Sequence, residues 1–234
     1  MIQTADIKTA SEVAGFNVPR EIARFNMIEQ QIRTWEVLDP VVLALLSEIP
    51  REHFVPAEYQ GLAFADIEIP IGAGQTMLSP KLEGRILQAL SVQKTHNVLH
   101  IGTGSGYVTA LLASLAKHVT AVEINADLSA KAAQNLAKHT IQNVTLLVAD
   151  GALGLPNQAP FDLIVYTGSC PVEPLGVRNQ LAVGGALFIV LGTGPAMQAM
   201  LMQRLSEAAF KQDVLFETYV PELINAPQAS TFEF

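Results

Sequence analysis

Alternating glycines follow an apolar run in the stretch VLHIGTGSGYVTALLA, which covers positions 98–113. Glycine has no side chain, so a bound ligand can approach the backbone closely at such a turn. The helical pattern that follows would present free N–H groups at its N-terminus, where polar ligand groups bind well. The loop therefore predicts a site for a nucleotide-like cofactor. The expected contacts in the loop are Gly102, Thr103, Gly104, Ser105 and Gly106.

The spacing of these glycines indicates which classes of ligand the loop can bind. A dinucleotide-binding loop follows G-x-G-x-x-G and would need glycine at position 107, where this sequence has Tyr107. The loop is not followed by the lysine of a phosphate-binding loop. It is also not a G-x-S-x-G nucleophile elbow, because Thr103 occupies the position of the first glycine. The pattern therefore argues against a dinucleotide, a triphosphate loop and a serine hydrolase.

Acidic residues at the ends of the next two predicted strands complete the expected cofactor site. Glu123, followed by Ile124, can accept hydrogen bonds from both hydroxyls of a ribose. Asp150 can face the exocyclic amine of adenine, and Gly151 would leave room for the ring. Either acid alone could instead cap the segment that follows it. Together they indicate a cofactor with a single adenosine, which favours S-adenosylmethionine.

These residues need a framework, and the second part of the chain supplies an alternating one. Strand-like apolar runs occur at 97–101, 119–124, 144–149, 161–167 and 186–192, with helical patterns at 106–117 and 127–139. Apolar strands separated by helices predict an α/β fold with a mostly parallel central sheet and helices on both faces. In such a sheet, ligands bind beyond the carboxyl ends of the strands. The segment after residue 196 fits a helix or a strand equally well.

The first part of the chain has a different pattern. A helical pattern begins near residue 21, and Asp39 before Pro40 predicts the N-terminus of a second helix. The prolines and glycines of 50–80 predict an ordered loop with short strands. We therefore expect a flexible arm over 1–20, a helical and loop region over 21–94 that covers the cofactor site, and a Rossmann-like core over 95–234. The last two should form one structural unit.

Composition indicates the class of protein, its partners and its cellular compartment. Half of its 234 residues are hydrophobic and 15% are charged, as in compact globular proteins, and the net charge of -8 disfavours nucleic acid and anionic membranes as partners. The single cysteine, Cys170, excludes an intrachain disulfide and suits a reducing compartment. No apolar run reaches the ~20 residues that span a bilayer, no signal core begins the chain, and the histidines lack metal-ligand spacing. These features predict a cytoplasmic protein without a metal.

From about residue 25 to about residue 195, and more loosely to the end, the sequence resembles the protein-L-isoaspartate O-methyltransferase family. The blocks MIEQQIR, IPREHFVP, AFADIEIPIGAGQT, IGTGSGY and LAVGGALFIVLG follow the family's order. The first three are the specific ones, because most methyltransferases of this fold lack them. The resemblance implies a Rossmann-like S-adenosylmethionine-dependent methyltransferase with two strands at the end of a mixed sheet. It also implies that Gln75, Thr76 and Met77 line the methionine end of the cofactor.

One departure from the family lies in the block GQTMLSP. The family usually has G-Q-T-I-S-x-P, with the serine hydroxyl in the active site, whereas this chain has Leu78 in that place and Ser79 one position later. Neighbouring side chains of an extended segment point to opposite faces, so Ser79 would not simply replace the missing hydroxyl. The candidates for catalysis are Thr76 and Ser79, and Leu78 is a further expected cofactor contact.

A second departure is His100, where the family has Glu or Asp near the methionine amino group. A neutral imidazole can accept one hydrogen bond, but it cannot balance an ammonium charge as a carboxylate does. We therefore expect His100 to contact the cofactor and to alter its affinity.

Three functions remain open at this point. The first is methyl transfer to a carboxylate of a peptide or protein, as in isoaspartyl repair, which the resemblance implies. The second is a methyltransferase of the same descent with a different acceptor, which Leu78 favours. The third is a cofactor-binding relative without enzymatic activity, which Leu78 and His100 together favour. The sequence does not indicate an oligomeric state.

Overall fold

The computed structural model describes residues 19–229, and nearly all of the arm expected over 1–20 lies outside that range. Five α-helices occur in the described residues. They are α1 (Arg20–Asn26), α2 (Pro40–Glu48), α3 (Pro80–Leu90), α4 (Tyr107–Leu115) and α5 (Ala126–Lys138). Shorter helical turns occupy Met27–Ile32, Arg33–Trp35, Arg51–His53, Ala57–Leu62, Pro156–Gln158 and Val177–Gln180. None of the helices within 19–229 is long and apolar enough to cross a membrane.

The described chain has two sheets. A small hairpin consists of β1 (Ile69–Gly72) and β2 (Gln75–Met77). The central sheet consists of β3 (Asn97–Ile101), β4 (His118–Glu123), β5 (Val144–Val148), β6 (Phe161–Cys170), β7 (Leu181–Leu191), β8 (Met197–Arg204) and β9 (Phe210–Thr218). Its strand order is β5-β4-β3-β6-β7-β8-β9.

Most neighbouring strands of the central sheet are parallel, which confirms the expected fold class. The strands β5, β4, β3, β6 and β7 pair in parallel, so their carboxyl ends lie at one edge of the sheet. The last two strands, β8 and β9, add antiparallel neighbours at one side. The ambiguous segment after residue 196 therefore forms strands, as the resemblance implied.

Two buried clusters cover the two faces of the sheet. Side chains of α2, α3, α4 and α5 pack with alternate strand residues such as Val98 and Val165 on one face. The other face contains Leu99, Ile164 and Leu187 and is covered by Val177 of a short 3₁₀ turn and by loops. The long helices expected on both faces are thus confined to one, because the connections before β6 and β7 contain only short 3₁₀ turns.

The N-terminal region begins with an irregular helix and a capped one. After α1 the chain continues as a π-helical turn, which changes the side of the helix that faces the core. Phe25 is consequently exposed, while Met27 and Ile32 are buried. At α2 the expected cap is present, since Asp39 accepts hydrogen bonds from the first backbone N–H groups and Pro40 is the first helical residue.

Candidate active site

A cavity that is partly open to solvent lies at the carboxyl ends of β3, β4 and β6. The hairpin, the start of α3 and the segment 221–224 complete its walls. Most of the predicted site residues meet there. They are Gln75, Thr76, Met77, Leu78, Gly102, Thr103, Gly104, Ser105, Glu123, Ile124, Asp150 and Gly151. Three predicted residues, Ser79, His100 and Gly106, do not line it.

The glycine loop is folded back onto the neighbouring strand. The backbone N–H groups of Gly102 and Thr103 both donate to the carbonyl oxygen of Val122, at 2.9 and 3.2 Å. Gly102 has a φ of 88°, and a Cβ atom at that position would lie 2.9 Å from Oγ1 of Thr167. A side chain at this position therefore fits neither the backbone conformation nor the space beside Thr167.

Glu123 connects the loop after β3 with the loop after β4. Its carboxylate is nearly buried and accepts hydrogen bonds from the backbone N–H of Gly104 at 2.8 Å and of Asn125 at 3.0 Å. Each carboxylate oxygen has a further lone pair, so the group can still accept hydrogen bonds from two ribose hydroxyls. Glu123 is thus both a structural link and a possible ligand group.

Asp150 lies at the exposed rim of the cavity. It accepts hydrogen bonds from the backbone N–H of Ala152 at 2.9 Å and from Nδ2 of Asn225 at 2.8 Å. A Cβ atom on the adjacent Gly151 would lie 2.9 Å from Cδ1 of Ile101. A side chain at this position would therefore press on the side chains of Ile101 and Val122, which line the cavity with Gly151.

These walls fit an adenosine-containing cofactor. Oγ1 of Thr103 is buried on the cavity wall and has no hydrogen-bond partner among residues 19–229, so it is available to a ligand.

Gly106 has a different structural role from the expected cofactor contact. Its φ is 87°, and a Cβ atom would lie 3.1 Å from Cβ of Ala132, so this glycine lets α4 and α5 pack closely.

No group of three or more His, Cys, Asp or Glu side chains in the described chain could hold a metal ion.

The structure corrects the expectation for His100. Its side chain is fully buried, and both ring nitrogens contact hydroxyl groups: Nδ1 lies 2.8 Å from Oγ1 of Thr109, and Nε2 lies 3.1 Å from Oγ1 of Thr167. Burial lowers the pKa of His100 to about 3, so the ring is neutral. Thr167, which does line the cavity, also donates toward the carbonyl of Gly102 at 2.7 Å. His100 therefore supports the glycine loop through Thr167 and does not face a cofactor directly.

A buried ion pair lies behind the hairpin side of the cavity. Nε of Arg51 donates to Oε2 of Glu83 at 2.9 Å, and both side chains are almost completely buried. The same guanidinium donates to the carbonyl oxygens of Ala63 and Leu78, each at 2.5 Å. Burial raises the pKa of Glu83 to about 7, and the charge of Arg51 opposes that rise. The pair fixes the backbone at Leu78 and thus the wall beside it.

The hairpin places the candidate catalytic residues differently. Thr76 lines the cavity, and its Oγ1 donates to Oε2 of Glu68 at 3.2 Å. Leu78 is 5% exposed and forms part of the wall. Ser79 precedes α3, is not among the residues that line the cavity and makes no side-chain cap hydrogen bond. The hydroxyl of Ser79 is therefore outside the site, whereas Thr76 and Leu78 are in it.

Several cavity residues were not predicted. Thr167 ends the predicted strand 161–167, and Gly168 follows it. Their position at the carboxyl end of a predicted strand could therefore have identified them as cavity residues. The segment 221–224 gave no such signal, because it reaches the cavity by long-range contacts. It is held by Ser169, whose backbone N–H donates to the carbonyl of Pro221 and whose carbonyl accepts from Leu223, both at 3.0 Å.

The buried, neutral state of His100 predicts a specific dependence of stability on pH. Its folded pKa lies below the unfolded value of about 6.5, so the unfolded chain binds a proton that the folded chain does not. The stability contributed by the neutral ring is complete above that value and is lost as the pH falls. Lowering the pH from 7 to 5 should reduce the free energy of unfolding by about 2 kcal/mol through this group.

Denaturant unfolding at both pH values, for the wild type and for His100→Asn, measures this effect. The variant should lose about 2 kcal/mol less than the wild type between pH 7 and 5. The partly exposed His96 provides a matched control, because His96→Asn should keep the wild-type pH dependence. Equal pH dependence in wild type and His100→Asn would contradict a buried neutral imidazole.

Comparison with known proteins places the chain in a family. Residues 23–225 match the family model described as Protein-L-isoaspartate(D-aspartate) O-methyltransferase (PCMT). A protein-L-isoaspartate O-methyltransferase from Rhodopseudomonas palustris is 39% identical over 201 residues, which cover 86% of this chain and 92% of that protein. Protein-L-isoaspartate O-methyltransferase 2 from Marinobacter nauticus is 40% identical over 187 residues, covering 80% of this chain and 85% of that protein.

A solved structure supports the fold. It comes from Plasmodium falciparum, is assigned to the same kind of methyltransferase and was solved in complex with S-adenosyl-L-homocysteine. It superimposes with a TM-score of 0.72 over 85% of this chain and 97% of that chain, at 18% identity, a level that shows the fold alone. The family model and the sequence relatives, by contrast, establish descent, and the chain belongs to the protein-L-isoaspartate(D-aspartate) O-methyltransferase family.

Proposed function

We propose that this protein, an S-adenosylmethionine-dependent methyltransferase, transfers the methyl group to the free α-carboxylate of isoaspartyl residues in peptides or proteins. The observation that carries the proposal is the cavity itself. It combines an open glycine loop and Glu123 with a hairpin wall formed by the family block around Thr76. Family membership supports the acceptor, because the matching model is that of isoaspartyl methyltransferases.

The cavity residues divide into two groups by chemistry. Glu123 and Asp150 would hold the ribose and the adenine of the cofactor, and the glycine loop would lie under the methionine part. When bound, S-adenosylmethionine supplies a methyl group on a positively charged sulfur. Thr103 has a free hydroxyl in this loop and can bond to the cofactor's polar end. Gln75 to Leu78 would separate this end from the acceptor.

The reaction demands positioning rather than proton transfer. A carboxylate is already ionised at neutral pH, so no general base is required to activate it. The apolar side chains of Met77, Leu78 and Tyr107 exclude water from the hairpin side of the cavity, where the acceptor would approach. The residues of this chain would act by orienting the two reactants and by keeping the site dry.

The direct test compares an isoaspartyl peptide with the normal aspartyl peptide of the same sequence, using cofactor with a labelled methyl group. We expect base-labile label on the isoaspartyl peptide and none above background on its twin, since a methyl ester hydrolyses in base. A denatured sample of the protein gives the background. Equal labelling of both peptides, or of neither, would contradict the proposed acceptor.

The cofactor half of the site can be tested by binding alone. Replacing Glu123 with alanine should weaken binding of S-adenosylhomocysteine by roughly 1.5 to 3 kcal/mol, the range for hydrogen bonds to a charged group. Isothermal titration calorimetry measures the change. The exposed Asp127 offers a control with the same change in charge, and Asp127→Ala should keep the wild-type affinity. Unchanged affinity in a folded Glu123→Ala protein would leave Glu123 with only its structural link to Gly104.

A second candidate function is favoured by Leu78, which presents an apolar side chain where the family serine would offer a hydroxyl. The same methyl transfer would then go to a different acceptor. Restoring the hydroxyl with Leu78→Ser should raise turnover on the isoaspartyl peptide more than it changes cofactor affinity. A hydroxyl that acts like an oxyanion-hole donor contributes about 2 to 4 kcal/mol to transition-state stabilisation, and neighbouring changes will reduce the gain.

The matched control is Ser79→Ala, because Ser79 lies outside the cavity lining. It should leave turnover unchanged in both backgrounds. Activity that depends on Ser79 and is indifferent to Leu78→Ser would show that the hairpin has a different register in the working enzyme.

The proposal also covers the partners and the cellular location of the protein. The acceptor is a peptide or protein, and the net charge of -8 argues against nucleic acid as a partner. We place the enzyme in the cytoplasm, where the single buried thiol of Cys170 stays reduced.

A further inference from the structure

A carboxylate that the cofactor site does not use lies beside the hairpin wall of the cavity. Glu68 lies just before β1, and its Oε2 is 3.2 Å from Oγ1 of Thr76 on β2. Glu68 itself does not line the cavity, whereas Thr76 does. The influence of Glu68 on the site therefore passes through the hydroxyl of Thr76.

The register of the hairpin explains why these side chains meet. Ile69 pairs with Met77, and Pro70 pairs with Thr76. Glu68 directly precedes β1 and Leu78 directly follows β2, so continuing this register would set Glu68 opposite Leu78, and side chains two residues apart on a strand share a face. Glu68, Thr76 and Leu78 thus lie on one face of the hairpin, and Glu68 reaches Thr76 as a diagonal neighbour.

The charge of Glu68 is not balanced by the cations beside this wall. Arg51 is bonded to Glu83 and to the carbonyl of Leu78, and Nζ of Lys81 lies 2.8 Å from Oδ2 of Asp66. Neither forms an ion pair with Glu68. Partial burial raises the pKa of Glu68, and the hydrogen bond from Thr76 opposes that rise. The bond from Thr76 is thus a stabilising contact of the ionised carboxylate.

We propose that Glu68 is a positioning residue that restricts the methyl acceptor: it holds the hydroxyl proton of Thr76 and so disfavours an ionised carboxylate at this wall. A hydroxyl has a single proton to donate. While Thr76 donates to Glu68, it can offer the acceptor only lone pairs, which suit an N–H or O–H group. This inference rests on the proposed function, because it assumes that the acceptor meets the cofactor beside Thr76.

The consequence for an isoaspartyl acceptor follows from the same contact. If its carboxylate took the proton of Thr76, Glu68 would lose its donor in a half-buried place, and two like charges would share one hydroxyl. Glu68 thus lowers the rate with a carboxylate acceptor independently of Leu78.

The test is a gain of activity, which a folding defect cannot imitate. In Glu68→Gln, the amide can donate to Oγ1 of Thr76, so the Thr76 proton becomes available to the acceptor. We expect kcat/KM for the isoaspartyl peptide to rise about 3- to 10-fold, the factor that corresponds to one hydrogen bond. The KM for S-adenosylmethionine should stay unchanged, because Glu68 does not line the cavity.

Two further variants locate the cause. The exposed Glu58 provides the same change of net charge nearby, and Glu58→Gln should give no gain. In a Thr76→Val background, Glu68→Gln should also give no gain, because the hydroxyl through which Glu68 acts is absent. A rise of similar size in either variant would overturn the role of the Thr76 proton.

The failure of this inference differs from the failure of the proposed function. Activity in the wild type without a gain in Glu68→Gln overturns the inference and leaves the function standing. A wild type that labels neither peptide contradicts the function. In that case binding of the isoaspartyl peptide, measured by calorimetry in the presence of S-adenosylhomocysteine, decides the inference: tighter binding to Glu68→Gln supports it, and equal or weaker binding overturns it.

Discussion

The buried guanidinium of Arg51 is the constraint on which the acceptor side of this protein depends. Removing a charge from water is costly unless its donors are bonded and its charge is paired. Arg51 meets both conditions with Glu83 and with the carbonyl oxygens of Ala63 and Leu78, which come from distant parts of the chain. Its guanidinium carbon also lies 5.8 Å from the ring centroid of Tyr107, the first residue of α4. The hairpin wall and the start of α3 are therefore positioned by a charge as well as by apolar packing.

The two halves of the cavity are built by different means. The cofactor half relies on backbone groups, on glycines that permit close approach and on Glu123, which joins two loops. These features serve any ligand with an adenosine and do not distinguish one methyl acceptor from another. The acceptor half instead contains paired charges beside apolar side chains. Its character depends on single residues such as Leu78 and Glu68, so it can change in evolution while the cofactor half stays the same.

The sequence predicted that the residues of the cofactor half lie together, and most of them do, because its signals are local. The apolar runs ended within a few residues of the observed strands, and acids at strand ends lie at one edge of a parallel sheet by topology alone. The exception was the run 186–192, which extends back to Leu181 in the structure as β7. The contact of Gln75, Thr76 and Met77 with the cavity was predicted only through the family resemblance.

The remaining features depend on contacts that local patterns do not encode. Position 100 suggested a ligand contact, but the hydroxyl groups of Thr109 and Thr167 draw its ring into the core. No local pattern singles out Arg51 or Glu83, and only the fold makes them partners. The π-helical turn changed the buried face of the first helix, so that Phe25 lies outside. In each case the missing information was the identity of a partner distant in sequence.

The segment 221–224 has a consequence for the synthesis of the protein. It forms part of the cavity wall and is held by Ser169 at the end of β6. A growing chain still attached to the ribosome possesses the glycine loop and Glu123 long before it possesses this wall. The complete cavity therefore exists only after the segment 221–224 has been synthesised and has docked against Ser169, so this wall cannot help to bind a cofactor at earlier stages of folding.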